Sequence, residues 1–286
     1  MLGKKIKRNA SKNRSLTLGM ITALICIMTG FISAATLDTE QEDEANNGED
    51  FTKPVNRFDV RLQLKTLPDD TESHETFDDR SAETLTLRTD WVLSSKPDQV
   101  YLRFDLPYVW SNKTNAQNKS GAVQSGWGDF LAQAAYVRTF NSQWAAGAGM
   151  QMIFPTATGE AFGNGKLQLA PTVAVRREFP EIGTGSYSLF VLRQFVSVSG
   201  DKDRSNINYL QVQPGFNLNL PNNWFLNSSP KINYYFYPSR WFVPLDLMVG
   251  KKFGIHWVVS VEYQYGLIRS SDQYQQWVEA RVGYFF

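Results

Sequence analysis

From Phe58 to the last residue the sequence alternates apolar and polar side chains with a period of two, and this rhythm constrains the fold more than any other feature. Successive side chains of a strand point to opposite faces, so each such stretch presents one greasy face and one wet face. In the first stretch Phe58, Val60, Leu62 and Leu64 oppose Asp59, Arg61 and Gln63. In the second Leu85, Leu87, Trp91 and Leu93 oppose Thr84, Thr86, Arg88 and Asp90, and in the third Leu102, Phe104, Leu106, Tyr108 and Trp110 oppose Arg103 and Asp105. The last is Val278, Ala280, Val282, Tyr284 and Phe286 against Glu279 and Arg281. Two stretches are less regular. Between Asp129 and Phe140 the alanines 132, 134 and 135 blur the faces, and from Tyr187 to Val198 both faces are apolar, which leaves Arg193 and Gln194 unassigned. A β-bulge would account for the second case.

The pattern predicts about twelve strands of roughly ten residues in an all-β, antiparallel up-and-down transmembrane β-barrel over 54–286, with periplasmic termini. The apolar side then faces lipid and the charged side a closed interior. A soluble β-sandwich or lipocalin-like barrel would also alternate, but it would not carry charges at mid-strand positions in strand after strand on the second face. Connection lengths agree with the membrane reading, because such barrels have short periplasmic turns and longer outer loops. The long connections are Thr66 to Ala82, Ser111 to Gly128, Pro155 to Gly165 and Gly200 to Asn206, alternating with the short Ser94 to Gln99, Asn141 to Gln143, Pro180 to Gly185 and Pro221 to Asn223. The short Pro238 to Arg240 turn is the exception.

Composition fits: 14% of the residues are aromatic, with 12 Tyr and 8 Trp, which a barrel places in girdles at the two membrane interfaces. A helical membrane protein with several spans is excluded, since only one apolar run approaches the roughly 20 residues a span needs. That run, Leu16 to Ala35, follows Lys4, Lys5, Lys7, Arg8, Lys12 and Arg14 and closes on Ser33, Ala34 and Ala35, the order of a secretory signal peptide over 1–35. An uncleaved anchor helix is the alternative reading. Cleavage after Ala35 leaves 23 basic against 28 acidic residues, a formal charge of about −5, which removes the electrostatic basis for nucleic-acid binding. Cys26 would leave with the signal, so no disulfide or cysteine metal site is expected, and Ile25 before it argues against a lipid anchor. Residues 36–53, with Glu40, Glu42, Asp43, Glu44, Glu49 and Asp50, read as a flexible acidic periplasmic tail.

From Gly126 onward the chain resembles a family of outer-membrane barrels catalogued as transporters of the phenol meta-cleavage pathway. The matching stretches are Gly126-Trp127-Gly128-Asp129, Gly165 to Thr172, Ser197 to Asp201, Gln211-Val212-Gln213-Pro214 and Arg240 to Leu245. The resemblance implies a channel-like outer-membrane protein and carries over no catalytic residue. The ending Val282, Tyr284 and Phe286 looks like the signal that the barrel assembly machinery reads on its clients, by strand addition to an exposed edge.

If the barrel is right, Asp59 and Asp90 join Arg61, Arg88, Arg103, Asp105, Asp129, Lys166, Lys231, Asp246, Glu262, Glu279 and Arg281 along the lumen. Both signs are mixed, which predicts a polar passage of weak charge preference or a lumen partly closed by its own ion pairs. The expected function is an outer-membrane channel for small-molecule solutes, hydrophobic or aromatic ones among them, with outer-membrane lipids and the assembly machinery as partners. A structural or surface-interaction barrel with a filled lumen is the alternative. A lipolytic enzyme ranks third, because its histidine would have to stand near a nucleophile, and His74 and His256 both fall in connections. No enzyme activity, cofactor or metal is expected: His74 among Asp69, Asp70, Asp78 and Asp79, and Asp201 with Asp203, read as solvated loops, and Gly159, Gly163 and Gly165 form no phosphate-cradling motif.

Overall fold

A computed structural model of the protein describes residues 46–66, 81–112, 118, 120–270 and 273–286. The expected signal segment, and His74 with its acidic neighbours, lie outside the described residues. Among these residues fourteen β-strands follow one another: β1 (Arg57–Thr66), β2 (Ser81–Val92), β3 (Asp98–Ser111), β4 (Gln124–Trp127), β5 (Leu131–Thr139), β6 (Trp144–Ile153) and β7 (Lys166–Glu178), then β8 (Tyr187–Gly200), β9 (Asn208–Asn219), β10 (Trp224–Ser228), β11 (Ile232–Phe236), β12 (Ser239–Phe253), β13 (Trp257–Ile268) and β14 (Gln276–Phe285). The sheet closes on itself, because β1 pairs with β14 from Arg57↔Phe285 to Thr66↔Gln276 as well as with β2. Closure removes every edge and satisfies the backbone within the wall, which a strand-built membrane span requires.

The fourteen segments make twelve staves. β4 and β5 both pair with β3, one along Tyr108–Ser111 and the other along Asp98–Asp105, so they are a single stave interrupted at 128–130. β10 and β11 likewise both lie between β9 and β12 and form one stave interrupted at 229–231. The expected count of twelve is therefore met. The turn at Pro221–Asn223 uses Asn222 and Asn223 in the left-handed region, with φ of 59° and 61°, the conformation that tight two-residue hairpins favour.

The outer face is apolar. Val173, Val175, Leu245, Leu247, Val249 and Val261 form an exposed aliphatic band at mid-height. Trp91, Tyr136, Trp144, Trp224 and Phe286 ring the rim that carries the ends of β1 and β14, here called the terminal rim, and Trp127, Phe236 and Trp241 ring the far rim. Arg177 stands over Trp144 and Phe179, and Lys251 over Trp224, which puts cations at the height where headgroups lie. No helix among the described residues is long and apolar enough to cross a membrane; the strands do the crossing.

The inner face is polar apart from two buried apolar clusters, and one of these corrects the sequence reading. Asn46 to Lys53, expected as part of a solvated tail, is folded inside the terminal half of the barrel, with Asn46, Asn47, Asp50, Phe51 and Thr52 all buried. Its one aromatic residue, Phe51, packs with Tyr101, Ala135, Val137, Ala174, Tyr187, Leu189 and Val191. These are inward residues of β3, β5, β7 and β8, and they include the two strands whose alternation is irregular. The apolar side chains on the inner face of β8 are there to receive Phe51. A bulge does occur in β8, where Leu167 pairs with Ser199 and Gln168 with Ser197, but it lies at Val198 and does not explain the apolar run that starts at Tyr187.

Candidate functional site

The lumen divides into a closed half and a hollow half. In the closed half, Asn46 to Asn56 is a plug built from local turns. The Asn46 and Asn47 carboxamides accept from the backbone N–H groups of Gly48 and Glu49 at 2.8 and 3.0 Å, and the Asp50 carboxylate accepts from Thr52 N at 2.7 Å. Such Asx turns fold a short polar segment without an apolar core. Gly48 has a φ of +77°, and a Cβ there would stand 2.8 Å from Nη2 of Arg281, so the turn needs glycine both for its backbone and for the close approach of the wall.

Ion pairs fasten this plug to the wall. Glu49 meets Arg61 at 2.9 Å and Arg281 at 2.5 Å, and Asp50 meets Arg176 at 3.2 Å. Arg281 also donates to the Asn47 carbonyl at 2.9 Å, Arg57 donates to the Gly48 carbonyl, and Asn47 donates to Asn217 at 2.8 Å. Behind the plug the same arginines share Asp59, which is 0% exposed: Arg61 at 2.9 Å, Arg281 at 3.2 Å and Arg57 at 3.4 Å. The network continues from Arg57 through Asp90 to Arg103, each contact 2.8 Å, and from Arg61 to Glu279 at 2.9 Å. Burial by itself would raise the Glu49 carboxyl, but the guanidiniums of Arg61, Arg281, Arg57 and Arg88 hold it at about 2, so it is charged across the ordinary pH range.

Beyond the plug lies a cavity of about 320 Å³. Its lining includes Arg61, Arg88, Arg103, Asp105, Lys231, Glu262 and Glu279, so seven of the thirteen residues expected along the lumen meet in one space. Arg88 and Asp105 form a two-bonded pair across the wall at 2.7 and 2.6 Å. Asp246 and Glu262 converge on the Gln264 amide at 2.8 and 2.6 Å. The remaining expected residues stand elsewhere. Arg281 belongs to the plug network. Lys166 is buried at the far-rim end of β7. Asp129 sits in the break between β4 and β5 and accepts from Ala157 N and Asn164 N at 3.1 and 2.7 Å, so it braces the 154–165 loop instead of lining the cavity.

Several residues that matter here escape the sequence reading. Glu49 and Asp50 do so because a charged, apolar-poor segment resembles disorder. Arg176 continues the polar parity of Lys166, Gln168 and Thr172 and was legible on that ground. Arg193 faces inward and lines the cavity. On its Phe195 side a ladder of rings runs along the inner wall of the hollow half: Phe195 stacks on Tyr209 at 4.5 Å, Tyr209 meets Tyr235 at 5.1 Å, and Arg240 covers Tyr235 at 5.0 Å. Of the chain's end, Tyr284 and Phe286 point outward, Tyr284 against Trp257 at 4.9 Å and Phe286 against Trp91 at 5.4 Å, with Val282 on the same outer face of β14. His256 lies at the terminal rim with Nδ1 2.7 Å from the Phe285 carbonyl, a contact that ties the last strand to the β12–β13 turn.

No family model and no curated protein matches the chain. Solved structures do. An outer-membrane channel from Pseudomonas putida F1 superposes with a TM-score of 0.65 at 13% identity, over 87% of this chain and 100% of that one. The KdgM porin superposes with a TM-score of 0.52 at 11% identity, over 80% of this chain and 99% of its own. At such identities these likenesses establish the fold, a membrane barrel of the outer-membrane kind.

Proposed function

We propose that the chain is an outer-membrane channel whose terminal entrance is narrowed by its own N-terminal segment. The carrying observation is the contrast inside the barrel: a plug held by side-chain ion pairs and turns, above which lies a polar cavity wide enough for a small solute. Polar plug contacts can be exchanged for water, so they suit a segment that yields to passage better than an apolar core would. Small solutes, aromatic ones among them, are the proposed cargo. The resemblance to barrels of the phenol meta-cleavage pathway supports this class, and so does the ring ladder along the inner wall. The export signal at 1–35, the outer-membrane location with periplasmic termini and the reading of Val282, Tyr284 and Phe286 by the assembly machinery belong to the same proposal.

The test is single-channel recording of the refolded mature protein in planar bilayers, beside a variant whose plug is unfastened, Arg281→Gln. The proposal expects small, discrete conductance for the native protein and larger steps for the variant. The second reading, a filled barrel acting through its far-rim loops, draws on the many contacts of the plug. Silence from both proteins would favour it and end the channel reading.

A further inference from the structure

Among the described residues four arginines line the cavity: Arg61, Arg88, Arg103 and Arg193. Three are neutralised. Arg61 has Asp59, Glu49 and Glu279, Arg88 has Asp105, and Arg103 has Asp90, all within 2.9 Å. Arg193 has no carboxylate in ion-pair reach among the described residues. Its Nη1 donates to the neutral side chains of Gln211 and Gln213 at 3.0 and 2.7 Å, and its Nε–H is buried with no acceptor. A half-buried guanidinium whose partners are all neutral lacks a counter-charge.

The surroundings say what shape that charge should come in. Phe195, two residues along β8 on the same inner face, lines the cavity beside Arg193 and is the first rung of the ladder that continues through Tyr209 and Tyr235. Rings offer stacking area to a flat apolar body, while a guanidinium matches the two oxygens of a planar carboxylate with parallel N–H donors. A cavity of about 320 Å³ sits at the small end of ligand pockets, enough for a one-ring molecule.

We infer that the hollow half of the lumen holds a binding site for a small aryl carboxylate, its carboxylate on Arg193 and its ring against Phe195, which Tyr209 backs from the neighbouring strand. Gln211 and Gln213 position the guanidinium from the neighbouring strand. As a statement about cargo this rests on the channel reading; as a binding site it stands without it.

The test is isothermal titration of the detergent-folded full chain with three probes: benzoate, benzyl alcohol, which keeps the ring and loses the charge, and acetate, which does the reverse. Benzoate is expected to bind at least about tenfold more tightly than either of the others. Arg193→Gln should erase the preference of benzoate over benzyl alcohol, and Tyr209→Leu should weaken benzoate while leaving acetate unchanged. Equal binding of benzoate and benzyl alcohol by the native protein overturns the site, as does an Arg193→Gln protein that folds and keeps its benzoate affinity. The three-probe series on the native chain decides the matter even where a variant does not fold. Benzoate binding without bilayer conductance would keep the site and remove the channel; conductance without benzoate binding would do the opposite.

Discussion

The two halves of the lumen are built from the same residue types and do opposite things with them. Near the terminal rim, arginines from β1 and β14 share their carboxylates with one another and with Glu49 of the plug, and Arg281 and Asp59 are entirely buried. In the hollow half Arg88 and Asp105 keep 17% and 10% of their side-chain surface, and Arg193 rests on amides alone. The difference is a third body. Where the plug enters, Arg57, Arg61, Arg176 and Arg281 each gain a partner from outside the wall; where it does not, the wall charges pair sideways or remain open to a ligand. A barrel interior therefore gets its charge inventory from strand parity, but its state from what is threaded through it.

The contrast breaks most sharply at Arg281. Replacing it with Gln leaves Glu49 and Asp59 short of a buried cation, a loss of about 3–5 kcal/mol for a broken buried pair. The barrel should then unfold at lower temperature in heat-modifiable gel mobility, and single-channel steps should enlarge. Phe51→Ala comes next. Phe51 is 5% exposed within an apolar cluster, so its removal should weaken plug docking by about 3 kcal/mol. Here the conductance should rise while the barrel's own melting mobility stays near native, because the strand ladder and the wall ion pairs are untouched. Equal falls in barrel stability for the two variants would show that plug and wall are one cooperative unit.

Phe51 also marks the boundary of what the sequence could tell. The staves were legible because a period-two pattern has one physical solution when charges recur on its polar face, and parity alone placed Arg61, Arg88, Arg103, Asp105, Glu262 and Glu279 inside. The plug was hidden because low apolar content signals disorder only when the competitor is water or an apolar core. Inside a barrel the competitor is a wall of arginines and amides, against which Asn47, Glu49 and Asp50 are well matched. Two signals pointed there all the same. Asn46-Asn47-Gly48 and Asp50-Phe51-Thr52 are turn-forming sequences around a single aromatic, and the alternation blurs in the strands of Ala135, Val137, Leu189 and Val191, which receive that ring. An apolar patch on the wet face of a barrel strand is evidence of something apolar within.

Acid should sharpen the comparison on the plug side. Glu49 is held down from 4.5 to about 2, so its contribution to docking is complete above pH 4.5 and is lost as the pH falls from there toward 2. Conductance recorded down that window should rise, and Glu49→Gln should start from a higher conductance at neutral pH and lose this step. A native protein whose conductance stays flat from pH 5 to pH 2.5 would mean that Glu49 does not hold the plug.

The smallest effect is expected at Lys231, which lines the cavity from the break between β10 and β11, exposed and 6.0 Å above the Trp277 ring. A cation so placed contributes little to folding, so Lys231→Gln should shift stability by no more than about 0.5 kcal/mol. Its charge nevertheless stands in the hollow half, where nothing from the plug screens it. Reversal potentials measured across a salt gradient should move toward cation preference by a few millivolts, roughly the effect of one charge among several in a wet passage. An unchanged reversal potential would place the ion path elsewhere, and a loss of stability as large as that of Arg281→Gln would erase the distinction between a half of the lumen that is held shut and a half that is held open.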